Sequence, residues 1–175
     1  MDMNLAYNTA CNAYENEDYQ TSFELFFDLA KEGDVSSQVS IAYMLLNGIG
    51  VEKNIITAYE CYKQAADNGD TESQYYYGCY CINNENSEGL KYLILASNSD
   101  YTDAVYDLAG GYYFGMYFCE QDFDKAMELY ERATLLGKRE AFGDFLKCKG
   151  NKDGKFKTLI YMLKNFSRLT KNFKA

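Results

Sequence analysis

The chain has 175 residues, of which 47% are hydrophobic, and a formal net charge of −9. This length favours one domain, and no apolar run approaches the length of a transmembrane helix. The chain contains no His and no Pro; lack of His removes the commonest general base and metal ligand, and lack of Pro favours a largely helical chain.

Two stretches of the chain, residues 5–34 and 41–70, align with a shift of 36 residues. Under this shift Gly33-Asp34 falls on Gly69-Asp70. A period of this size predicts an array of paired antiparallel helices. The first helix of each pair carries a large apolar residue followed by a small one, which lets the neighbouring helix approach: Leu5-Ala6, Ile41-Ala42, Tyr77-Gly78 and Leu108-Ala109.

Capping residues predict where the second helix of each pair begins and ends. Its N-cap is predicted at Asp18, Asn54 and Asp122, whose side chains can accept hydrogen bonds from the first turn. Its end is predicted at Gly33, Gly69 and Gly137, where glycine takes the left-handed conformation. In the third repeat the cap is left open between Asn84 and Ser87, and Asn98-Ser99 take the place of glycine.

Two repeats carry a detailed pattern. The second contains Gly48-Ile49-Gly50-Val51, Asn54, Ala58, Tyr62, Ala65-Ala66 and Gly69-Asp70; the fourth contains Ala104, Leu108, Tyr112, Gly115, Asp122, Ala126, Tyr130, Ala133 and Gly137. These residues resemble the Sel-one-like repeat family, a relative of the tetratricopeptide repeats. The resemblance covers about residues 5–148 and implies an all-α fold, a right-handed α-α superhelix or solenoid of about four to five helix-turn-helix repeats. It also implies a non-catalytic adaptor that docks partners on a concave face formed by first helices.

The C-terminal stretch differs from the repeats. We expect residues 1–154 to form the helical array and residues 155–175 to form a basic amphipathic helix that caps it. Its apolar residues at helical spacing are Phe156, Leu159, Ile160, Leu163, Phe166 and Phe173. The opposite side carries Lys157, Lys164, Arg168 and Lys171.

The charges are unevenly distributed. Residues 1–137 hold 23 acidic and 6 basic residues, whereas residues 138–175 hold 11 basic and 3 acidic ones. One interpretation is a soluble acidic body with a solvated basic end. The other is an acidic surface that either attracts a basic partner protein or docks the chain's own basic tail. Such a body would repel nucleic acid, and only the basic end is suited to phosphate or an anionic membrane, a contact that we do not expect.

No catalytic constellation is evident. Without His there is no Ser-His or Cys-His pair, and Gly48-Ile49-Gly50 lacks the third glycine of a dinucleotide motif. Cys79 and Cys81 lie two residues apart, which on a helix points them to different sides and disfavours zinc. We therefore expect no enzymatic activity, cofactor or metal. The start of the chain resembles no signal peptide, so we expect a cytoplasmic protein with reduced thiols, and a monomer.

The predicted partner-binding surface consists of first-helix positions that the repeat leaves variable: Tyr7, Tyr43, Glu72, Tyr76, Asp103 and Asp107. The alternative is the basic surface of Lys157, Lys164, Arg168 and Lys171. The sequence thus favours an intracellular protein–protein interaction module that binds a basic partner on an acidic, tyrosine-rich concave face. The alternative function is a small acidic immunity protein that neutralises a cognate basic toxin.

Overall fold

The computed structural model describes residues 3–172, apart from the side chain of Phe156, so that Phe173 lies outside the described residues. Over this range the chain forms ten helices and no strand. The helices are α1 (Met3–Glu15), α2 (Tyr19–Lys31), α3 (Val35–Asn47), α4 (Ile55–Asp67), α5 (Thr71–Asn83), α6 (Glu88–Asn98), α7 (Thr102–Phe114), α8 (Phe123–Leu135), α9 (Arg139–Asp153) and α10 (Lys155–Thr170). The predicted all-α repeat architecture is confirmed: helices follow one another along the described chain, and α1 packs on α2, α3 on α4, α7 on α8 and α9 on α10.

The predicted N-caps of the second helices are confirmed. The side chains of Asp18, Asn54 and Asp122 accept hydrogen bonds from backbone amides of the first turns of α2, α4 and α8. Two first helices are capped as well: Asp34 accepts from the Ser37 amide and Asp70 from the Ser73 amide, each at 2.7 Å. These bonds satisfy amides that have no partner within the helix.

The third repeat is capped differently from the prediction. Of the two predicted positions, Ser87 is the N-cap residue of α6, but its side chain makes no capping hydrogen bond; the Asn86 side chain accepts from the Glu88 amide at 2.9 Å instead. At the other end of α6, Asp100 has a φ of 60°, where the other repeats have glycine. Asn98-Ser99 therefore do not replace glycine; Asp100 does, since an aspartate tolerates the left-handed region better than most residues.

The chain divides into two compact units, Met1–Tyr80 and Cys81–Ala175. In the first unit α1 packs on α2, α2 on α3 and α3 on α4, and the buried residues include Phe26, Ile41 and Met44. In the second unit α6 to α9 pack in the same successive manner, and α10 contacts α9 and α8. Its buried residues include Val105, Tyr130, Phe145, Cys148 and Leu169.

The side of α10 that packs inward is not the predicted apolar stripe. Leu159, Ile160, Leu163 and Phe166 are exposed, whereas Leu169 is buried. The helix is oriented instead by Tyr161, whose ring lies 5.5 Å from that of Phe145 and whose hydroxyl bonds to Glu131 at 3.1 Å. Arg168 bonds to the same Glu131 carboxylate. The inward side of α10 therefore combines Leu169 and the Tyr161 ring with polar contacts to Glu131 of α8.

The loop between α3 and α4 requires glycine at a close approach of two backbones. Gly50 has a φ of +67°, and a Cβ placed there would lie 2.3 Å from the Tyr19 carbonyl oxygen. Gly33 has a φ of +92° but open space around the position of a Cβ. An alanine at Gly33 would therefore have only the free-energy cost of a left-handed conformation, whereas an alanine at Gly50 would have the cost of a steric clash as well.

We expect Gly50→Ala to destabilise the protein more than Gly33→Ala does. Gly33→Ala should lower the free energy of unfolding by about 1–2 kcal/mol, the cost of an alanine in the left-handed region. Gly50→Ala adds a backbone clash, so its loss should be at least about twice as large. Urea denaturation of the two variants tests this, and equal losses would contradict the packing of the loop on α2.

Candidate partner-binding site

The first unit contains a cavity of about 650 Å³, which we call the first cavity. Four predicted site residues line it: Tyr7 on α1, Tyr43 on α3, and Glu72 and Tyr76 on α5. Aromatic rings dominate its wall, namely Tyr7, Tyr14, Phe26, Tyr43, Tyr62 and Tyr76. The structure therefore brings together two thirds of the residues predicted from the sequence, along with rings that the sequence analysis did not assign to a site.

The rings of the first cavity are arranged as a buried floor and an exposed rim. Phe26 and Tyr62 are buried, whereas Tyr43 is 49% and Tyr76 38% exposed. Tyr7 meets Phe26 edge to face with centroids 5.4 Å apart, and Tyr76 lies 5.5 Å from Tyr62. The floor thus holds the rim rings in place through contacts between helices of the same unit.

The first cavity is acidic. Its charged lining residues are Glu15 and Glu72, and among the described residues no Lys or Arg lines it. Burial, with smaller contributions from Tyr76 and Glu72, raises the pKa of the Tyr62 hydroxyl above its usual value. Burial likewise raises the pKa of Tyr7 and of Tyr14. These three hydroxyls are therefore neutral at physiological pH, and the carboxylates supply the charge.

Asp103 and Asp107 lie in the second unit, so the predicted row of six residues is divided between the two units. Asp103 accepts a hydrogen bond from Lys138 Nζ at 2.6 Å. Asp107 lines a second cavity of about 510 Å³, whose walls include Tyr106, Tyr113, Tyr130, Asp144 and Lys147. That all six predicted residues act as one continuous surface remains a prediction.

In the second cavity, the Asp144 carboxylate is hydrogen-bonded by two other side chains that line the same cavity. Tyr106 Oη donates to Asp144 Oδ2 at 2.7 Å, and Lys147 Nζ donates to Asp144 Oδ1 at 2.7 Å. The hydrogen bond to Asp144 and then burial raise the pKa of Tyr106 to about 12. The sequence analysis did not predict Tyr106 or Asp144 as site residues. The signal for Asp144 was its position: it is the sixth residue of α9, as Tyr76 is the sixth residue of α5.

The alternative basic surface is exposed but not wholly available. Lys157, Lys164, Arg168 and Lys171 are all exposed on or just after α10. Arg168, however, is paired with Glu131 of α8. Part of this surface is therefore neutralised by the chain itself.

The remaining candidate functional groups of the described residues are the carboxylates and the cysteines. No group of three or more Cys, Asp and Glu side chains within residues 3–172 is arranged to hold a metal ion. Burial raises the pKa of the Cys148 thiol to about 11, which makes it a poor nucleophile. Nor is any helix in that range both long and apolar enough to cross a membrane.

Two stretches of the chain match a known family. The family model described as Sel1 repeat matches residues 35–70 and 102–138. These stretches contain the second and fourth helix pairs, α3–α4 and α7–α8. They are the repeats that carry the most complete pattern of small, aromatic and capping residues.

Several solved structures share the fold. A Sel1 repeat protein from Oxalobacter formigenes matches with a TM-score of 0.74 and 21% identity, over 83% of this chain and 62% of that one. A protective antigen with an SLR fold, present in uropathogenic Escherichia coli strains, matches with a TM-score of 0.82 and 20% identity, over 96% of this chain and 38% of that one. MamA matches with a TM-score of 0.60 and 16% identity, over 99% and 97%. The chain thus spans less than two thirds of the first two proteins, and at these identities the likeness concerns the fold alone.

We expect Asp144→Asn to lower the pKa of Tyr106 from about 12 towards its ordinary value of 10.0, because the amide removes the negative charge beside the hydroxyl. Titration of tyrosine ring carbons by NMR measures the change. Asp28→Asn is the matched control, since Asp28 pairs with Lys31 in the first unit.

The same shift gives a pH dependence of stability. Because the folded pKa of Tyr106 is raised, its contribution is complete below pH 10.0 and is lost as pH rises through about 12. The free energy of unfolding of the Asp144→Asn variant should therefore fall less than that of the wild type over this interval. An identical decline in both proteins would contradict the assignment.

Proposed function

Because the chain belongs to the Sel1-like repeat family, whose members are generally protein-interaction modules, we propose that it is a non-catalytic interaction module that binds a basic partner protein. The partner contacts the first cavity and its rim, formed by Tyr7, Tyr43, Glu72 and Tyr76. The support is the composition of that cavity: exposed tyrosine rings beside carboxylates, with no basic residue among its described lining residues.

The two kinds of residue have different roles in this proposal. Glu15 and Glu72 attract a basic partner and speed its encounter with the cavity. The rings of Tyr43 and Tyr76 supply the contact area that is buried in the complex, since a tyrosine ring loses little conformational entropy for the area that it covers. Charge therefore governs the rate of association, and the rings govern the lifetime of the complex.

Asp103 and Asp107 belong to the proposed partner surface as well. Asp107 lines the second cavity, and Asp103 keeps 46% of its side chain exposed although it is paired with Lys138. The cytoplasmic location and the monomeric state expected from the sequence are likewise proposals. Size-exclusion chromatography with light scattering tests the second of them.

The narrower alternative is an immunity protein that neutralises a basic toxin. It uses the same acidic surface and differs in the identity and number of partners. Affinity capture from the native host followed by mass spectrometry separates the two functions. A single basic toxin would support the immunity protein, and several unrelated proteins would support the adaptor.

Replacement of one rim ring tests the proposed surface. We expect Tyr76→Ala to weaken binding of the captured partner by about 2 kcal/mol, or about thirtyfold, if the ring is a binding hot spot. The association rate should fall as salt is added, because the attraction between exposed charges is screened. Surface plasmon resonance measures both quantities.

Thermal unfolding of Tyr76→Ala serves as a control, because Tyr76 also packs on Tyr62. The competing variant reverses the charges of Lys157, Lys164, Arg168 and Lys171. If that variant remains folded and loses the partner, while Tyr76→Ala and Asp107→Ala bind normally, the partner lies on the basic surface and the proposal is wrong.

A further inference from the structure

We propose that the first cavity is a receptor for one arginine side chain of the partner protein, whose guanidinium group lies between the rim tyrosines and is neutralised by Glu72 and Glu15. This inference rests on the proposed function and specifies what the cavity binds. It concerns a cavity within a single compact unit, formed by helices whose contacts with one another are described above.

The shape of the cavity suits a flat cation on an apolar stem. Its volume of about 650 Å³ exceeds that of a single side chain and lies within the range of sites that recognise small ligands. Phe26 and Met44 make the floor apolar, and both are buried. Tyr43 and Tyr76 are exposed rings that line the cavity, and the face of an aromatic ring carries the negative part of its quadrupole. An arginine can therefore bury its methylene groups against the floor while its guanidinium contacts rings.

The charge of the cavity favours a cation over a neutral side chain. Glu72 and Glu15 are exposed, and each lines the cavity. With no Lys or Arg among the described lining residues, these carboxylates have no counterpart of opposite charge in the cavity wall. A cation that enters gains from both carboxylates, whereas an apolar side chain gains only from burial.

The second cavity provides an internal comparison, because the two cavities use the same positions of the repeat. Tyr62 and Tyr130 are each the eighth residue of their helices, α4 and α8, and both line a cavity. The second cavity contains a cation of its own, Lys147, bonded to Asp144 at 2.7 Å.

The position that corresponds to Lys147, the ninth residue of the helix, is Cys79 in α5. The first cavity therefore has the aromatic and acidic surroundings of the second but lacks its built-in cation. A cation from a partner would complete the first cavity in the way that Lys147 completes the second.

Arginine fits this site better than lysine. Its guanidinium is planar and weakly hydrated, so it stacks on aromatic faces and loses less solvation free energy when it is partly buried. A lysine ammonium is compact and strongly hydrated, which favours open surfaces. The predicted order of affinity is therefore arginine, then lysine, then an uncharged analogue of arginine.

The test uses the whole chain and a small probe. Nα-acetyl-arginine amide is titrated into ¹⁵N-labelled protein, with Nα-acetyl-citrulline amide as the uncharged analogue of the same shape and Nα-acetyl-lysine amide as the second cation. We expect the arginine derivative to shift the amide signals of Tyr43, Glu72 and Tyr76 with a dissociation constant in the millimolar range, since one side chain provides little contact area.

Matched variants separate charge from ring contacts. Glu72→Gln should weaken binding of the arginine derivative about three- to fivefold, the effect of one carboxylate near a cation at high dielectric. Glu60→Gln makes the same change of charge at an exposed position outside the cavity and should have no effect. Tyr43→Leu should weaken binding about two- to fivefold, and Tyr43→Phe, which keeps the ring, should bind normally.

Several results would overturn the inference. These are equal affinity for the citrulline and arginine derivatives, tighter binding of the lysine derivative, shifts confined to the second cavity, and no binding at all. If Tyr76→Ala weakens the protein partner but the arginine derivative does not bind, the interaction surface stands and the arginine receptor is wrong. If the arginine derivative binds but Tyr76→Ala leaves the affinity for the partner unchanged, the proposed partner surface is wrong. In that case the arginine that the cavity binds does not come from the partner protein.

Discussion

The close packing of aromatic rings against alanines is the constraint on which the rest of the structure depends. Ala10, Ala42 and Ala58 in the first unit, and Ala109, Ala126 and Ala133 in the second, are fully buried. Their small side chains let neighbouring helices approach, and the gap that remains is filled by one large ring on the second helix of the pair, Phe26, Tyr62 or Tyr130. A helix array can repeat only if this spacing is kept, because a larger side chain at an alanine position would force the helices apart.

The same packing contributes to the two cavities. A buried ring on the second helix of a pair is also part of the cavity lining. In the first unit Tyr62 has this position, and in the second Tyr130 does. The floor is therefore fixed by the fold, while the rim residues, such as Tyr43, Tyr76 and Asp144, vary between repeats and give each cavity its own chemistry.

The two units differ in how their charged side chains are paired. The excess of basic residues after residue 138 does not remain a uniform basic surface, because several of these residues pair with carboxylates of the same unit. Lys138 bonds to Asp103, Lys147 to Asp144, Lys149 to Asp153 and Arg168 to Glu131. The exposed pairs among them contribute little to stability, but all of them lower the net field of the basic end. The described lining of the first cavity contains no such pair, so its carboxylates keep their field.

The sequence by itself determined the helix pairs, the caps at Asp18, Asn54 and Asp122, and the variable positions that became the rim of the first cavity, because each depends on local backbone chemistry or on the spacing of the repeat. It also predicted four residues of the first cavity, but not Tyr14 and Glu15, which lie at the end of α1 about two turns after Tyr7, nor Tyr62, which lies on the second helix α4. Tertiary structure decided which side of α10 packs inward: Leu169 is buried and the Tyr161 ring packs on Phe145, whereas most of the predicted apolar stripe is exposed. It also decided that Asp144 would be satisfied by Tyr106 and Lys147 whereas Glu72 would line an acidic cavity. Such outcomes depend on side chains from different helices meeting in space, which periodicity along one helix does not encode.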